Sequence, residues 1–590
     1  MIRPATNPQA WDGGLRATVP FRAVWCIDFE FNGPPGERPR PVCMVVREIF
    51  TGEEVRLWRD ELLALGRPPF DVGPDSLVVA YAAQAEIGCF FTLGWPLPCN
   101  ILDLFAEHRC STNGLILPCG NGLLGALACH GLGHIDAGEK EMMRRLIMDN
   151  DDWSNPQKHE LFEYCASDVD GLDALLHVMA PTIDWPRALL RGRHAGAVAK
   201  QQHAGVPIDV NLHRRLLPNW EPLKQRLVRE IDGDFGIYDG TTFKAARFAE
   251  WLEAHGIPWP RLPSGQLALA DDVFKQMALR FPLIRPIHDL RTTMGKLRLT
   301  GLAVGADGRN RFSIWPFSAK TGRNQPSTTE SIFGPSKWMR GLIRPTEDHG
   351  IAYIDFVAQE IGIAAALSGD QRLIDAYRSD DPYICFAKMA SLVPADATAI
   401  GYRAIRERCK QVMIAVSYGM GPRSLADRLG VTLIDAHELL RLHRLTFPRF
   451  WRWSGDAVAS AMLTNRMSSV FGWQLHVGPD PNPRSLMNFP MQANGAEMMR
   501  IAAIAATETG IEVCAPVHDA FLISAPIHRL DDDIAHMREI MTKAGNVVTG
   551  GLDIRTSAQV FRWPNRFMSE SGLEMWQRVT RLLSVMEAAQ

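Results

Sequence analysis

Arg406 to Tyr418 reads R-E-R-C-K-Q-V-M-I-A-V-S-Y, and the reading of the whole chain turns on this stretch. It holds neither Pro nor Gly, and Gly419 follows it, so a helix that stops there is the expected state. Arg406, Lys410, Ile414 and Tyr418 recur every fourth residue. Four residues on a helix turn about 400°, so these side chains form one slowly drifting stripe. Two cations a turn apart, continued by an apolar and an aromatic side chain, can grip a polyphosphate at one end and cover a flat base at the other. A plain surface helix with basic residues has the same spacing, and the stretch alone favours that reading. What lies before and after it changes the balance.

Upstream, Ile351 to Glu360 reads I-A-Y-I-D-F-V-A-Q-E, an apolar strand ending in Asp355 with Glu360 five residues on. Downstream, Val513 to Ser524 reads V-C-A-P-V-H-D-A-F-L-I-S, two apolar runs around His518-Asp519. That pattern predicts a hairpin with charge at its tip. A lone Asp at a strand end is most often a cap or a solvated residue. Two of them on separate strands, with a cationic helix between them in sequence, point to a site that binds metal and triphosphate together.

The first third carries a second acidic set. Ala23 to Phe31, A-V-W-C-I-D-F-E-F, is an apolar run that turns acidic, and in a strand Asp28 and Glu30 share a face. Neighbouring carboxylates repel unless a cation lies between them, and Mg²⁺ is held by such carboxylates plus substrate phosphates. A strand end emerging into water reads the same way. Leu77 to Phe91 predicts strand into helix and buries one acid, Glu86. Lys158 to Met179 predicts a helix in which Tyr164 and Asp168, at i and i+4, share a face. Between the two acidic regions, helical patterns run over Arg187 to Gln202, Asn211 to Asp232 and Thr242 to His255, broken by Pro207, Pro258, Pro260 and Pro263. They fit a clamp on duplex DNA or a packing spacer.

At 590 residues the chain is too long for one core, so about three or four domains are expected. No run is apolar enough to span a membrane, and the first residues, with Arg3, Asp12, Arg16 and Arg22, lack a signal-peptide pattern. The 11 scattered cysteines contain no C-x-x-C pair, which argues for reduced thiols in a cytoplasmic setting and against a zinc site. Net charge is -3. From Arg291 to Arg344, however, the cations Arg291, Lys296, Arg298, Arg309, Arg311, Lys320, Arg323, Lys337, Arg340 and Arg344 face only Asp307 and Glu330. Such a stripe is either a nucleic-acid footprint or a solvated face.

The acidic D-x-E strand, Glu86 and the Y-x-x-x-D of Tyr164 and Asp168 resemble the DnaQ-like, RNase H-like 3′–5′ proofreading exonucleases. That resemblance implies that Asp28, Glu30 and Asp168 hold metals and that Tyr164 holds the attacking water. Glu86 departs from the family, which has Asp there. Asp103 matches a recurrent family aspartate and equally suits a helix N-terminus.

The second half resembles the family A, polymerase I-like DNA polymerases. Asp355 and Glu360 match motif A, Arg406, Lys410, Tyr418 and Gly419 match motif B, and His518-Asp519 match motif C. Thr321-Gly322-Arg323 and Arg484-x-x-x-Asn488-x-x-x-Gln492 match two further family segments, and G-V-P-I-D-V resembles the approach to the thumb. The resemblance implies an α/β and α+β multidomain chain: exonuclease domain (1–180), helical linker and thumb (181–300), palm (301–375 and 481–590) and fingers (376–480). It implies two Mg²⁺ per active site, replaceable by Mn²⁺, on Asp355 and Asp519. Arg406 and Lys410 would bind the incoming phosphates, Tyr418 would stand at the templating position and Glu360 would exclude the ribose 2′-hydroxyl. Arg323, Arg484, Asn488, Gln492 and His518 would touch DNA, and Tyr383 would lie near the phosphates. Ala520 replaces an acid of motif C, and Ile414 replaces an aromatic that tunes sugar selectivity.

The implied activity is templated addition of nucleotides from dNTPs to a primer in DNA replication, with proofreading. The alternative is a stand-alone 3′–5′ exonuclease whose second half only holds DNA. Primer–template DNA, dNTPs and a processivity factor or other replisome proteins are the expected partners of a monomer. The size resembles phage replicative enzymes, which work in the cytoplasm of a bacterial host.

Overall fold

A computed structural model describes residues 12–133, 137–296, 299–334 and 336–589. Arg3 and Arg298 lie outside the described residues, as does the side chain of Lys296.

The N-terminal third is built on a five-stranded sheet ordered β3-β2-β1-β4-β5. Its strands are β1 (Ala23–Asn32), β2 (Arg40–Glu48), β3 (Glu54–Trp58), β4 (Ser76–Ala80) and β5 (Ile101–Asp103). β4 runs parallel to β1 and β5, and β2 is antiparallel to β1 and β3. β1 is buried on both faces, which is why it reads as a continuous apolar run. Val24 and Cys26 join one core, with Leu161, Cys165 and Val169 of the helix Asn155–Met179. Trp25, Ile27 and Phe29 join another, with Ile87 and Phe90 of the helix Gln84–Leu93. A capping box at Ser154 starts the Asn155–Met179 helix.

The helix Trp185–Ala204 joins this unit to the rest. Its Gly192 passes so close to β5 that a Cβ there would lie 1.8 Å from the carbonyl oxygen of Ile101. Arg191 ties it to Glu107 through a buried fork, 2.6 and 2.7 Å, and Arg193 reaches Glu508. The helix Val210–Asp232 follows, N-capped by Asp209. The predicted helix from Thr242 begins later, at Ala245, because Thr242–Phe243 is a strand paired with Tyr238–Asp239. Gly240, at φ +59°, makes the tight turn between them, and the Phe243 ring packs on Tyr238 at 5.5 Å.

The C-terminal half centres on an antiparallel four-stranded sheet. Its order is Glu512–Val517, Ala520–Pro526, His349–Phe356, Thr556–Arg562. The long helices Pro483–Glu508 and Ile527–Thr549 contribute Met498, Ala502, Met537 and Met541 to the core behind it, with Ile354 and Ile523 from the sheet. Helices Pro382–Met389, Arg403–Ser417, Pro422–Leu429, Leu433–Thr446 and Pro448–Thr464 form a helical subunit that shares this core. Among the described residues no helix is long and apolar enough to cross a membrane.

Five of the described arginines in the Arg291–Arg344 run are engaged within the protein. Arg309 pairs with Glu512, Arg311 with Asp307 and Arg344 with Asp209, while Arg291 lies over Phe243 and Arg340 over Phe333. Guanidinium groups with long apolar stems serve here as ties between segments.

Candidate active sites

In the N-terminal unit, Asp28 and Glu30 project from β1 toward the Asn155–Met179 helix, and Asp168 meets them from it. Their ligand oxygens all lie within 4.8 Å of one another. The β1–β2 register shifts just after Glu30, a bulge that re-aims the strand at the site. Burial and then the Asp168 charge push the Asp28 carboxyl up to about 7. Glu30 is raised by burial and by Asp28, and Asp168 by burial. Carboxylates raised in this way lack positive charge around them. Part of that charge comes from Lys140, whose Nζ lies 2.6 Å from Asp168 Oδ2 and 5.5 Å from the centre of the Tyr164 ring. Cys165 Sγ donates to Asp28 Oδ2 at 3.1 Å.

Glu86 is buried near these acids but does not converge on them. Its Oε2 accepts from the Phe29 amide at 2.7 Å, so the longer arm is folded back onto β1. Asp103 caps the helix Leu104–Thr112, accepting from Phe105 N and Ala82 N.

In the C-terminal half, strand pairing places Asp355 opposite Ala520 on one side and opposite Ser557 on the other. Asp519 is therefore next to Asp355 at the end of the neighbouring strand. His518 and Asp519 form the hairpin loop, with His518 at φ +57°. Asp355 Oδ1 accepts from Ser557 Oγ. Burial raises the Asp519 carboxyl, Arg323 pulls it back and the Asp355 charge raises it further. Ala358, at φ +51°, starts the helix Gln359–Ser368 and so aims Glu360 back at the site.

The helix Arg403–Ser417 carries the expected stripe, with Tyr418 at its C-cap. Its end is tied to the sheet: Tyr418 Oη donates to Glu360 Oε1 at 3.0 Å, and Gln492 Nε2 donates to both. Burial raises the Glu360 carboxyl against the lowering effect of these donors and of Arg323. Arg406 is held at Nε by Asp381 Oδ2, 2.5 Å, and at Nη1 by Glu407, with its guanidinium 5.2 Å from the Tyr383 ring. Lys410 makes no hydrogen bond or ion pair among the described residues, and Ile414 is half-buried. Arg323 donates to the Gln492 carbonyl, and Arg484 packs on Gly419, so the Pro483–Glu508 helix runs alongside. Asn488 sits between them on that helix with a buried Oδ1 that has no partner.

Lys140, Asp381 and Ser557 touch these sites and escaped the sequence reading. Asp381 had a visible signal: D-D-P places a capping residue before a Pro, and Asp381 does cap the helix Pro382–Met389. Lys140 and Ser557 carry no local signal.

Residues 329–561 match the family model described as DNA polymerase family A. Among curated proteins, "DNA polymerase I, thermostable" of Thermus thermophilus is 26% identical over 206 residues, 32% of this chain and 24% of that protein. "DNA polymerase I" of Chloroflexus aurantiacus is 24% identical over 54% of this chain and 36% of its own length. "DNA polymerase" of Mycobacterium phage L5 is 25% identical over 44% of this chain and 43% of its own length. The chain thus spans less than half of each of these relatives. Among solved structures, the POL domain of Pol1 from M. smegmatis, in complex with DNA primer-template and dNTP, matches with TM-score 0.71 at 17% identity. The match covers 95% of this chain and 98% of that one, and at this identity it speaks for the fold.

Proposed function

We propose, from the premise that residues 329–561 form a DNA polymerase family A domain, that the chain is a template-directed DNA polymerase with its own 3′–5′ exonuclease. The observation that carries the polymerase reading is the tie between the cationic helix and the acidic sheet. The helix bearing Arg406 and Lys410 ends on Glu360 through Tyr418, and Glu360 lies five residues after Asp355. In this reading the antiparallel sheet is the palm (301–375 and 481–590), the helical subunit the fingers (376–480), residues 181–300 the thumb, and the N-terminal unit an RNase H-like exonuclease (1–180).

Both acidic sets offer only hard oxygen donors, and burial with a neighbouring carboxylate raises Asp28 in one and Asp519 in the other, so they fit Mg²⁺. Asp355 and Asp519 would hold it in one site, and Asp28, Glu30 and Asp168 in the other. Bound Mg²⁺ supplies charge neutralisation and a more acidic attacking oxygen. Everything else belongs to the chain. Lys410, without a partner among the described residues, is free to bind a phosphate oxygen. Arg406, fixed at two of its nitrogens, presents the rest of its fork to the same triphosphate. Glu360, propped by Tyr418 and Gln492, fills the space a ribose 2′-hydroxyl would need. Arg323, Gln492 and His518 would meet the minor-groove acceptors that every correct base pair shares, checking shape without reading sequence. Tyr164 would hold the attacking water in the exonuclease site.

Primer extension tests this reading. Asp355→Asn and Asp519→Asn are each expected to lower dNTP-dependent extension by about a thousandfold or more while leaving DNA binding in place. Unchanged extension in either variant would overturn the assignment.

A further inference from the structure

In the polymerase reading, Arg323 of the Thr321-Gly322-Arg323 turn meets the minor groove, so whatever fixes that turn bears on the reaction. Among the described residues the Arg323 side chain makes one hydrogen bond, at 3.4 Å to the Gln492 carbonyl, so its aim depends on the backbone beneath it. That backbone is held from several sides. Gly322, at φ +71°, donates its N–H to the Ala319 carbonyl at 2.9 Å and closes the turn. Arg500 Nη2 donates to the Gly322 carbonyl at 3.1 Å, and His194 Nε2 lies 3.3 Å from Asn324 Oδ1. The Trp473 ring is so near that a Cβ on Gly322 would come within 3.1 Å of it.

The remaining support comes from the N-terminal unit. Its helix Leu104–Thr112 ends at Asn113, which is fully buried. Asn113 Nδ2 donates to the Lys320 carbonyl and to the Gln474 carbonyl, both at 2.7 Å. One amide group thus ties the residue before the turn to the hairpin of strands Arg466–Ser468 and Gln474–His476. The Asn113 carbonyl in turn accepts from His476 N at 2.8 Å. One turn back on the helix, Arg109 donates from Nε to the Phe317 carbonyl at 3.4 Å and from Nη2 to the Ser318 carbonyl at 3.3 Å. Ala106 and Cys110 of the same helix share an apolar core with Phe317, Trp473 and Phe489. The carbonyls of Phe317, Ser318 and Lys320 therefore all accept from N-terminal side chains, directly ahead of Arg323. We infer that Asn113, with Arg109, is a positioning residue for the polymerase site, setting through this backbone where the Arg323 guanidinium stands. The N-terminal unit is then a structural part of minor-groove checking as well as the carrier of its own acids. The inference rests on the polymerase reading, in which Arg323 meets the acceptors shared by every correct pair.

The test is single-turnover extension by the full chain carrying Asp28→Ala, so that excision does not compete. Two primers are compared, one ending in guanine and one in 3-deazaguanine, which has C–H in place of the minor-groove acceptor N3. The quantity read is the ratio of their extension rates, which does not depend on the fraction of protein that is folded. The parent should extend the 3-deaza primer about tenfold more slowly, through loss of one charge-assisted hydrogen bond. Arg323→Ala should bring the ratio to about one. Asn113→Ala should slow the guanine primer about tenfold and bring the ratio to within about twofold of one. Arg109→Ala, on a half-buried side chain, should shift the ratio in the same direction and replaces the Asn113 variant if that one does not fold. A side chain that only stabilised the fold would slow both primers equally. The parental ratio retained in Asn113→Ala, or in Arg109→Ala where it is the replacement, would overturn the inference. Normal extension with no 3-deaza penalty in the parent would remove the minor-groove role of Arg323 and the inference with it. Absence of extension in every protein would remove the polymerase reading itself.

Discussion

Asp381 shows how one side chain can serve two purposes. Oδ1 caps the Pro382–Met389 helix by accepting from Tyr383 N and Ile384 N, while Oδ2 holds Arg406. Asparagine preserves the cap and removes the charge. Asp381→Asn is therefore expected to raise KM for dNTP about tenfold with a smaller change in kcat and no loss of thermal stability. An unchanged KM in steady-state extension would show that Arg406 needs no such partner. Asp103 makes a different prediction. Burial pushes its carboxyl up to about 7. An acid raised on folding stabilises the fold below its unfolded pKa, about 4, and that contribution is lost as pH rises through about 7. Asp103→Asn keeps an oxygen for the Ala82 and Phe105 amides but cannot ionise. It should stabilise the N-terminal unit by on the order of 1–3 kcal/mol at pH 8 and by little at pH 4. Calorimetric unfolding at the two pH values reads this difference, and a shift that is the same at both contradicts it.

At the scale of elements, the pieces that carry the candidate site residues were legible in sequence because each holds its signature within a few residues. The apolar run ending in Asp28 and Glu30 is β1, the apolar runs around His518-Asp519 are a hairpin, and Arg406 to Tyr418 lies on one helix and its cap. What stayed hidden depends on packing between distant segments. Arg406 meets Asp381 at a separation of 25 residues, Asp168 meets Lys140 at 28, and Asp355 meets Ser557 at 202. No local pattern encodes such pairs. Packing also decides what the Arg291–Arg344 run does: Arg309 and Arg344 find acids in distant segments, Arg311 and Arg340 find Asp307 and Phe333 nearby, and Arg323 meets the Gln492 carbonyl. The turn at Asp239-Gly240 is a local signal, and it sets the start of the helix at Ala245 and not at Thr242. Gly192 was equally silent in sequence, yet the helix Trp185–Ala204 can approach β5 only without a side chain there. Gly192→Ala must push the helix off the sheet edge. It should cost on the order of 1–3 kcal/mol, seen as an earlier unfolding transition; an unchanged midpoint would mean that the contact is readily relaxed.

Over the whole molecule, the Trp185–Ala204 helix joins two units with separate acidic sites. Arg191 anchors it to Glu107 in the first, and Arg193 reaches Glu508 of the long helix behind the second sheet. Under the proposed function, these sites act in opposite directions on one DNA end, synthesis at Asp355 and Asp519 and excision at Asp28, Glu30 and Asp168. In the proposed excision site, Glu86 is held by the Phe29 amide and Asp103 by the Ala82 and Phe105 amides, so the proposal places excision on the three converging carboxylates. The most direct test is a 5′-labelled primer–template incubated with Mg²⁺, with and without dNTPs, using wild type, Asp28→Ala and Asp355→Ala. Wild type should lengthen the primer with dNTPs and shorten it without them. Asp28→Ala should lose only the shortening and Asp355→Ala only the lengthening. Loss of both activities in either single variant, or shortening that persists in Asp28→Ala, would contradict two independent sites in one chain.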